Sequence, residues 1–124
     1  MKVQLTPAAL HEISVLRSSG YKGAGFLLGS AIGRFIIVEQ LLPLDFNRAT
    51  GDAAYRSVCA SYQQRLQGVF FCRRRAFALD RFFHDLVMVI GGDQIEIRGC
   101  EFSEAKQKTV LVPFWEDKEE QWPN

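Results

Sequence analysis

Gly25-Phe-Leu-Leu-Gly29, followed by Gly33-Arg-Phe-Ile-Ile-Val-Glu-Gln-Leu-Leu-Pro43 and later by Gln67-Gly-Val-Phe-Phe-Cys-Arg73, decides the reading of this chain. The first run lies inside a continuous apolar segment, Gly23 to Ser30, bounded by small residues, and reads as a buried strand. Ala31-Ile32 before Gly33 predicts a tight hairpin into a second strand, Arg34 to Leu42, which Pro43 ends. Leu66 to Cys72 reads as a third strand. Phe70 and Phe71 are consecutive on it, and neighbours on a strand point to opposite faces. One of the two rings therefore needs a cover on the far side of the sheet, from a helix or a partner subunit.

Working outward, Thr6-Pro7 predicts a helix start, because Thr is a good N-cap and Pro at the first helical position sacrifices no needed hydrogen bond. Leu10, Ile13 and Leu16 or Arg17 share one side of that helix, and Gly20 stops it. Residues 44–51 read as loop. Asp52 is expected to cap a second helix burying Tyr55, Val58, Cys59, Tyr62 and Leu66, with Arg56, Ser57, Gln63, Gln64 and Arg65 on the other side. Strand, helix and strand at this spacing predict a crossover unit packed on a sheet. Arg73 to Arg75 break the pattern, and Phe77 to His84 read as a short helix. Leu86 to Ile90 is a further apolar strand. Gly91-Gly92-Asp93 is a turn, and Gln94 to Phe102 alternates Ile95 and Ile97 with Glu96 and Arg98, as a half-solvated strand does. Thr109 to Trp115 is expected to be the last strand, before a mobile acidic tail, Glu116 to Asn124.

The chain has 124 residues, 48% of them hydrophobic and 23% charged. That is ordinary globular composition, enough to bury one core. A net charge of +1 argues against a dedicated nucleic-acid or membrane-surface binder. The charge is uneven, net basic up to Cys100 and net acidic after it. Cys59, Cys72 and Cys100 are odd in number and form no CxxC pair, so neither a disulfide framework nor a structural zinc site is expected. With no signal-peptide pattern and no apolar run near the roughly 18 residues of a membrane span, the expected setting is the cytoplasm.

The order of helix, GxLLG strand, Pro-ended strand, long helix, QGVFFC strand running into a loop, and apolar strand resembles the JAMM/MPN (JAB-type) metalloprotease domain, over roughly residues 5–102. The resemblance implies an α/β fold, a mixed central sheet with flanking helices in a cytidine-deaminase-like architecture. Residues 1–115 would form the domain and 116–124 the acidic tail. In active members of that family a Glu stands three residues before the first Gly of the GxLLG strand. A His-x-His-Pro follows the third strand, and a Ser-x-x-Asp comes next. The His pair and the Asp hold zinc, and the Glu is general base to the zinc-bound water.

Carried over position by position, that chemistry is gone. Lys22 stands at the Glu position, Phe71 and Arg73 at the His positions, and Arg74 at the Pro position. Phe77-Ala-Leu-Asp80 is the best match to Ser-x-x-Asp, leaving Asp80 as the one potential ligand. A guanidinium is no ligand, and the cations would repel a metal. The resemblance therefore implies a degenerate pseudoenzyme with no metal and no cofactor. Its role would be binding or scaffolding: for a protein partner, ubiquitin-like or another JAMM/MPN domain, or in a homodimer through Phe-rich surfaces and strand edges.

Rival readings of the same residues stay open at this stage. Arg73, Arg74, Arg75 and Arg81, with Lys22 and Arg65, among Phe70, Phe71, Phe77, Phe82 and Phe83, could bind an anion or an acidic partner. Alternatively, Arg73 and Asp80 form a plain salt bridge. Cys72 beside three arginines could be a low-pKa nucleophile with His84 or His11 as base, but no signature couples them, and a buried Cys at the end of a strand is the commoner reading. Asp80, His84 and Asp85 could form a relocated metal site. The opening Val3-Gln-Leu-Thr-Pro-Ala-Ala-Leu10 is similar to iron–sulfur assembly scaffolds, but these need a C-terminal cysteine constellation, and none follows Cys100.

Overall fold

The computed structural model describes residues 2–33, 35–75, 86–103, 106–111 and 114–116. In chain order these form β1 (Lys2–Leu5), α1 (Pro7–Ser18), β2 (Gly23–Ile32), β3 (Phe35–Pro43), α2 (Gly51–Tyr62), a 3-10 turn (Gln63–Arg65), β4 (Leu66–Cys72), β5 (Leu86–Ile90), β6 (Ile95–Ser103), β7 (Lys106–Leu111) and β8 (Phe114–Glu116). The strands make one mixed sheet in the order β7-β6-β5-β4-β2-β3-β1-β8. Pairs β1–β3, β1–β8 and β4–β5 are parallel and the rest antiparallel. The domain is thus α/β. Leu111 and Phe114 are separated by at most about 11 Å of extended chain, yet their strands hold opposite edges of the sheet. The sheet must curl to bring its edges near each other.

Alternation sorts the side chains between two faces, each roofed by a helix. Phe70, Leu27, Leu86 and Met88 join Ile13 and Leu16 of α1, while Phe71, Val69, Phe26 and Leu28 join Val58 of α2 and Phe46 of the loop before it. Both Phe70 and Phe71 are wholly buried. Of the two expected covers for the second ring, the helix is the one found, so neither ring forms a Phe-rich outer surface. Burial on both faces also explains why β4 is an unbroken apolar run. Two β-bulges adjust the alternation. One, at Leu28/Gly29, lets Val38 and Leu41 face the same side although three residues apart; the other, opposite Leu27/Leu28, does the same for Leu66 and Val69.

The start of α1 is as expected: the Thr6 side chain accepts from Ala9 N at 3.2 Å, with Pro7 at the first turn. Its end is a Schellman motif. Gly20, at φ 72°, donates to the Arg17 carbonyl and Tyr21 N to the Leu16 carbonyl, which folds Tyr21 back onto the core. The start of α2 differs from expectation. Thr50 is the N-cap and Asp52 lies in the first turn, where its charge favours the helix dipole. Asn47 organises this corner by accepting from the backbone N of Ala49 and Thr50. Cys59, expected on the buried face, is exposed, because the line facing the sheet runs through Gly51, Ala54, Tyr55, Val58 and Tyr62.

Two strands differ from the sequence reading. β1 is too short, at four residues, to show a pattern in the sequence; its Val3 and Leu5 are buried and Lys2 is exposed. The expected last strand, Thr109 to Trp115, is two strands on opposite sheet edges, β7 and β8. Pro113, which has no N–H to donate to a ladder, lies between them. The expected helix Phe77 to His84 and the tail after Glu116 lie outside the described residues. No helix among the described residues is long and apolar enough to cross a membrane.

Candidate functional site

Strands β1, β3, β4 and β5 all run the same way, since β3 and β4 both oppose β2 between them. Their carboxyl ends share one end of the sheet, the end at which open α/β sheets bind ligands. The β2–β4 register pairs Gly23 with Cys72 and Ala24 with Phe71. Lys22 and Arg73 therefore sit one step beyond the last pair, side by side in the backbone. The register thus brings the backbone positions of Lys22, Phe71 and Arg73 to one end of the sheet.

Their side chains part company. Phe71 points under α2, edge-on to Phe46 at 5.7 Å between ring centroids and 72° between planes. On a regular strand Arg73 would share that face. Instead Arg73 has φ 51°, a left-handed conformation that costs a non-glycine residue roughly 1–2 kcal/mol. Its guanidinium donates at 3.1 Å to the Arg17 carbonyl at the end of α1, on the sheet's other side. Lys22 is exposed.

Arg74 belongs to a different group. Its Nη1 lies 2.6 Å from Asp45 Oδ1, and the same oxygen accepts from Ala24 N at 3.0 Å. Tyr21 OH donates to the Ala24 carbonyl at 2.7 Å. Asp45 thus ties the loop after β3 to the start of β2 and to the loop after β4. Burial, then the Asp45 charge, push the Tyr21 phenol above its ordinary pKa, and Arg74 opposes them.

Cys72 is wholly buried on the α1 side. Its thiol pKa is raised, as suits a buried cysteine at a strand end, and not depressed as the nucleophile reading needs. Burial outweighs the pull of Arg73 and Arg17, because a thiolate loses its hydration there. Arg65, grouped with the arginine loop from sequence, precedes β4 while Arg73 follows it, so the two are on the order of 20 Å apart. Arg75 is exposed. Asp80, Arg81, His84, Asp85, Phe77, Phe82 and Phe83 lie outside the described residues. Among the described residues no group of three or more His, Cys, Asp or Glu is placed to hold a metal.

Arg17, Tyr21, Asp45 and Glu12 were missed in the sequence. The one signal was for Tyr21, an aromatic just past a helix-stopping Gly. Glu12 acts where β1 leaves β3. Thr6 N donates to the Val38 carbonyl as the last link between them, and farther along β3 the Glu12 carboxylate accepts from Leu41 N. A hollow of about 250 Å³ opens there, lined by Glu12, Val15, Leu16, Leu41 and Pro43.

No protein-family model and no curated protein matches the chain. Among solved structures it is similar to the solution structure of protein DSY2949 from Desulfitobacterium hafniense. The TM-score is 0.56 at 13% identity, over 96% of this chain and 97% of that one. At that identity the likeness is one of fold alone.

Proposed function

We propose that this chain is a catalytically silent domain of JAMM/MPN type that works as a binding module, for a protein partner or a second copy of itself. The observation that carries this reading is the β2–β4 register, which brings Lys22, Phe71 and Arg73 to one sheet end although they are far apart in sequence. In an active member those positions would gather a general base and zinc ligands. Here they supply an ammonium, a buried ring and a guanidinium turned toward α1. None of these activates water. Among the described residues Lys22 and Arg75 are exposed cations at this end, which suits a partner with an acidic face, such as a ubiquitin-like protein or another JAMM/MPN domain.

The test pairs zinc content of protein purified without chelators with a peptidase assay on ubiquitin-like conjugates, and adds the mass of the assembly in solution. The proposal expects no zinc, no cleavage and a complex or a dimer. Stoichiometric zinc lost together with cleavage in Asp80→Ala, or cleavage lost in Cys72→Ala, favours the enzyme readings instead.

A further inference from the structure

β1 leaves the sheet after Leu5, and β8 stops level with it. Leu5 is paired with Val38 of β3 on one side and with Glu116 of β8 on the other. All three strands run the same way, so the chain beyond Glu116 is aimed along the slot that β1 vacates beside residues 39–43 of β3. The hollow of Glu12, Val15, Leu16, Leu41 and Pro43 opens at that slot, where Leu41 N donates to the Glu12 carboxylate.

The first helix starts at the same corner, capped by Thr6 directly after Leu5. Ala8, Glu12 and Val15 follow one another along one side of it, at i, i+4, i+7 spacing. Ala8 and Val15 are exposed and Glu12 is half-buried. That side leads from the end of β8 to the hollow. The distances fit. Leu41 lies three residues past Val38, about 10 Å along β3, and β8 stands two strand spacings away, also about 10 Å. The direct path from Glu116 is therefore on the order of 14 Å. Trp122 follows Glu116 by six residues, a reach of about 20 Å. The charges fit as well. The first turn of α1 holds no acidic residue, although the positive end of a helix favours one. Asp117, Glu119 and Glu120 stand between β8 and Trp122, where the path passes that turn.

We propose that residues 117–122 fold back past the start of α1 as a strap and seat Trp122 in the hollow. An indole suits the place. Val15, Leu16, Leu41 and Pro43 offer apolar walls, and a buried indole N–H needs an acceptor. The Glu12 carboxylate supplies it, since it can accept more than the one bond from Leu41 N. Seated there, the strap covers the stretch of β3 that β1 leaves open, to which a strand of a second copy could otherwise add. The inference does not rest on the partner-binding reading; a catalytic domain of this fold would carry the strap equally well.

The test is NMR on the full chain, with the Trp122 indole N–H signal identified by its loss in Trp122→Phe. Contacts are expected from this indole to the Val15 methyls and to Leu41. Its N–H should exchange with solvent about tenfold more slowly than in a free peptide of residues 117–124, as when the strap is open in roughly one molecule in ten. Val15→Asp should abolish the slowing. Ile32→Asp, at an exposed apolar residue at the far end of β2, should not. Four results overturn the proposal: no contact to Val15 or Leu41, exchange at the peptide rate, slowing kept in Val15→Asp, or slowing lost equally in Ile32→Asp. Contacts between labelled and unlabelled chains in a mixed sample would seat the indole on a second copy and overturn the strap. If Val15→Asp does not fold, the contacts in the parent chain decide.

Discussion

The Phe70 ring occupies the space in which residue 25 would carry a side chain. A Cβ on Gly25 would lie 2.3 Å from Phe70 Cε1 and 2.4 Å from the Leu42 carbonyl oxygen. The first glycine of the GxLLG run is therefore there for close approach, since β2 must pass between β3 and β4 with a large ring laid across it. Gly25→Ala is expected to destabilise the fold by about 1–3 kcal/mol, the usual cost of overpacking, read from the urea midpoint. Adding Phe70→Leu should recover only part of the loss, because the Leu42 carbonyl cannot move aside as a side chain can. Gly92→Ala, with nothing within 4 Å of its Cβ, is the neutral control.

Phe71 stands where the family resemblance puts a metal ligand, yet it is part of the core. Phe71→Ala should cost about 3–5 kcal/mol, as for other large buried rings. Phe71→His with Arg73→His restores the ligand types in sequence but is expected not to recover zinc. Residue 71 faces α2, and the left-handed residue 73 faces α1. Zinc uptake by the double variant, measured by equilibrium dialysis, would show that the two side chains can share a face after all.

Asp45 serves two partners, and its substitutions should separate them. The Asp45 side chain is 58% exposed, so its ion pair with Arg74 is worth about 0–1 kcal/mol. The bond from Ala24 N adds about 1 kcal/mol. Asp45→Ala should therefore cost more than Arg74→Ala, with Asp45→Asn between the two because it keeps an acceptor oxygen. Chemical denaturation at low and high salt checks this. The Arg74→Ala effect should shrink in salt, and most of the Asp45→Ala effect should persist.

Alkaline pH should weaken the fold through Tyr21 and Cys72. Both hold their protons in the folded chain at pH values where the unfolded chain has released them. Their contribution is complete below the unfolded values and is lost as pH rises, from about 8.5 for the thiol and about 10 for the phenol. Urea midpoints should fall across that window. The fall should be shallower in Tyr21→Phe and Cys72→Ala than in the parent chain.

The apolar runs made β2 to β6 and both helices legible from the sequence, because burial writes itself into composition. The GxLLG and QGVFFC stretches turned out to be neighbouring strands of the sheet. β1 was not legible: Val3 and Leu5 are too short a pattern to stand out. Pro113 is a local sign of the break between β7 and β8, but their placement on opposite sheet edges depends on sheet curl, which no local pattern encodes. At the site, backbone convergence of Lys22 and Arg73 followed from reading strands, but the facing of Arg73 did not. A left-handed arginine has no sequence signature, and neither does a carbonyl such as that of Arg17 that draws a guanidinium across the sheet. Asp45 was one polar loop residue among several.

Zinc stoichiometry of protein purified without chelators, measured alongside cleavage of ubiquitin-like conjugates, tests the central claim most directly. The account predicts background zinc and no cleavage, unchanged in Asp80→Ala. Stoichiometric zinc, lost together with a peptidase activity in that variant, would contradict it.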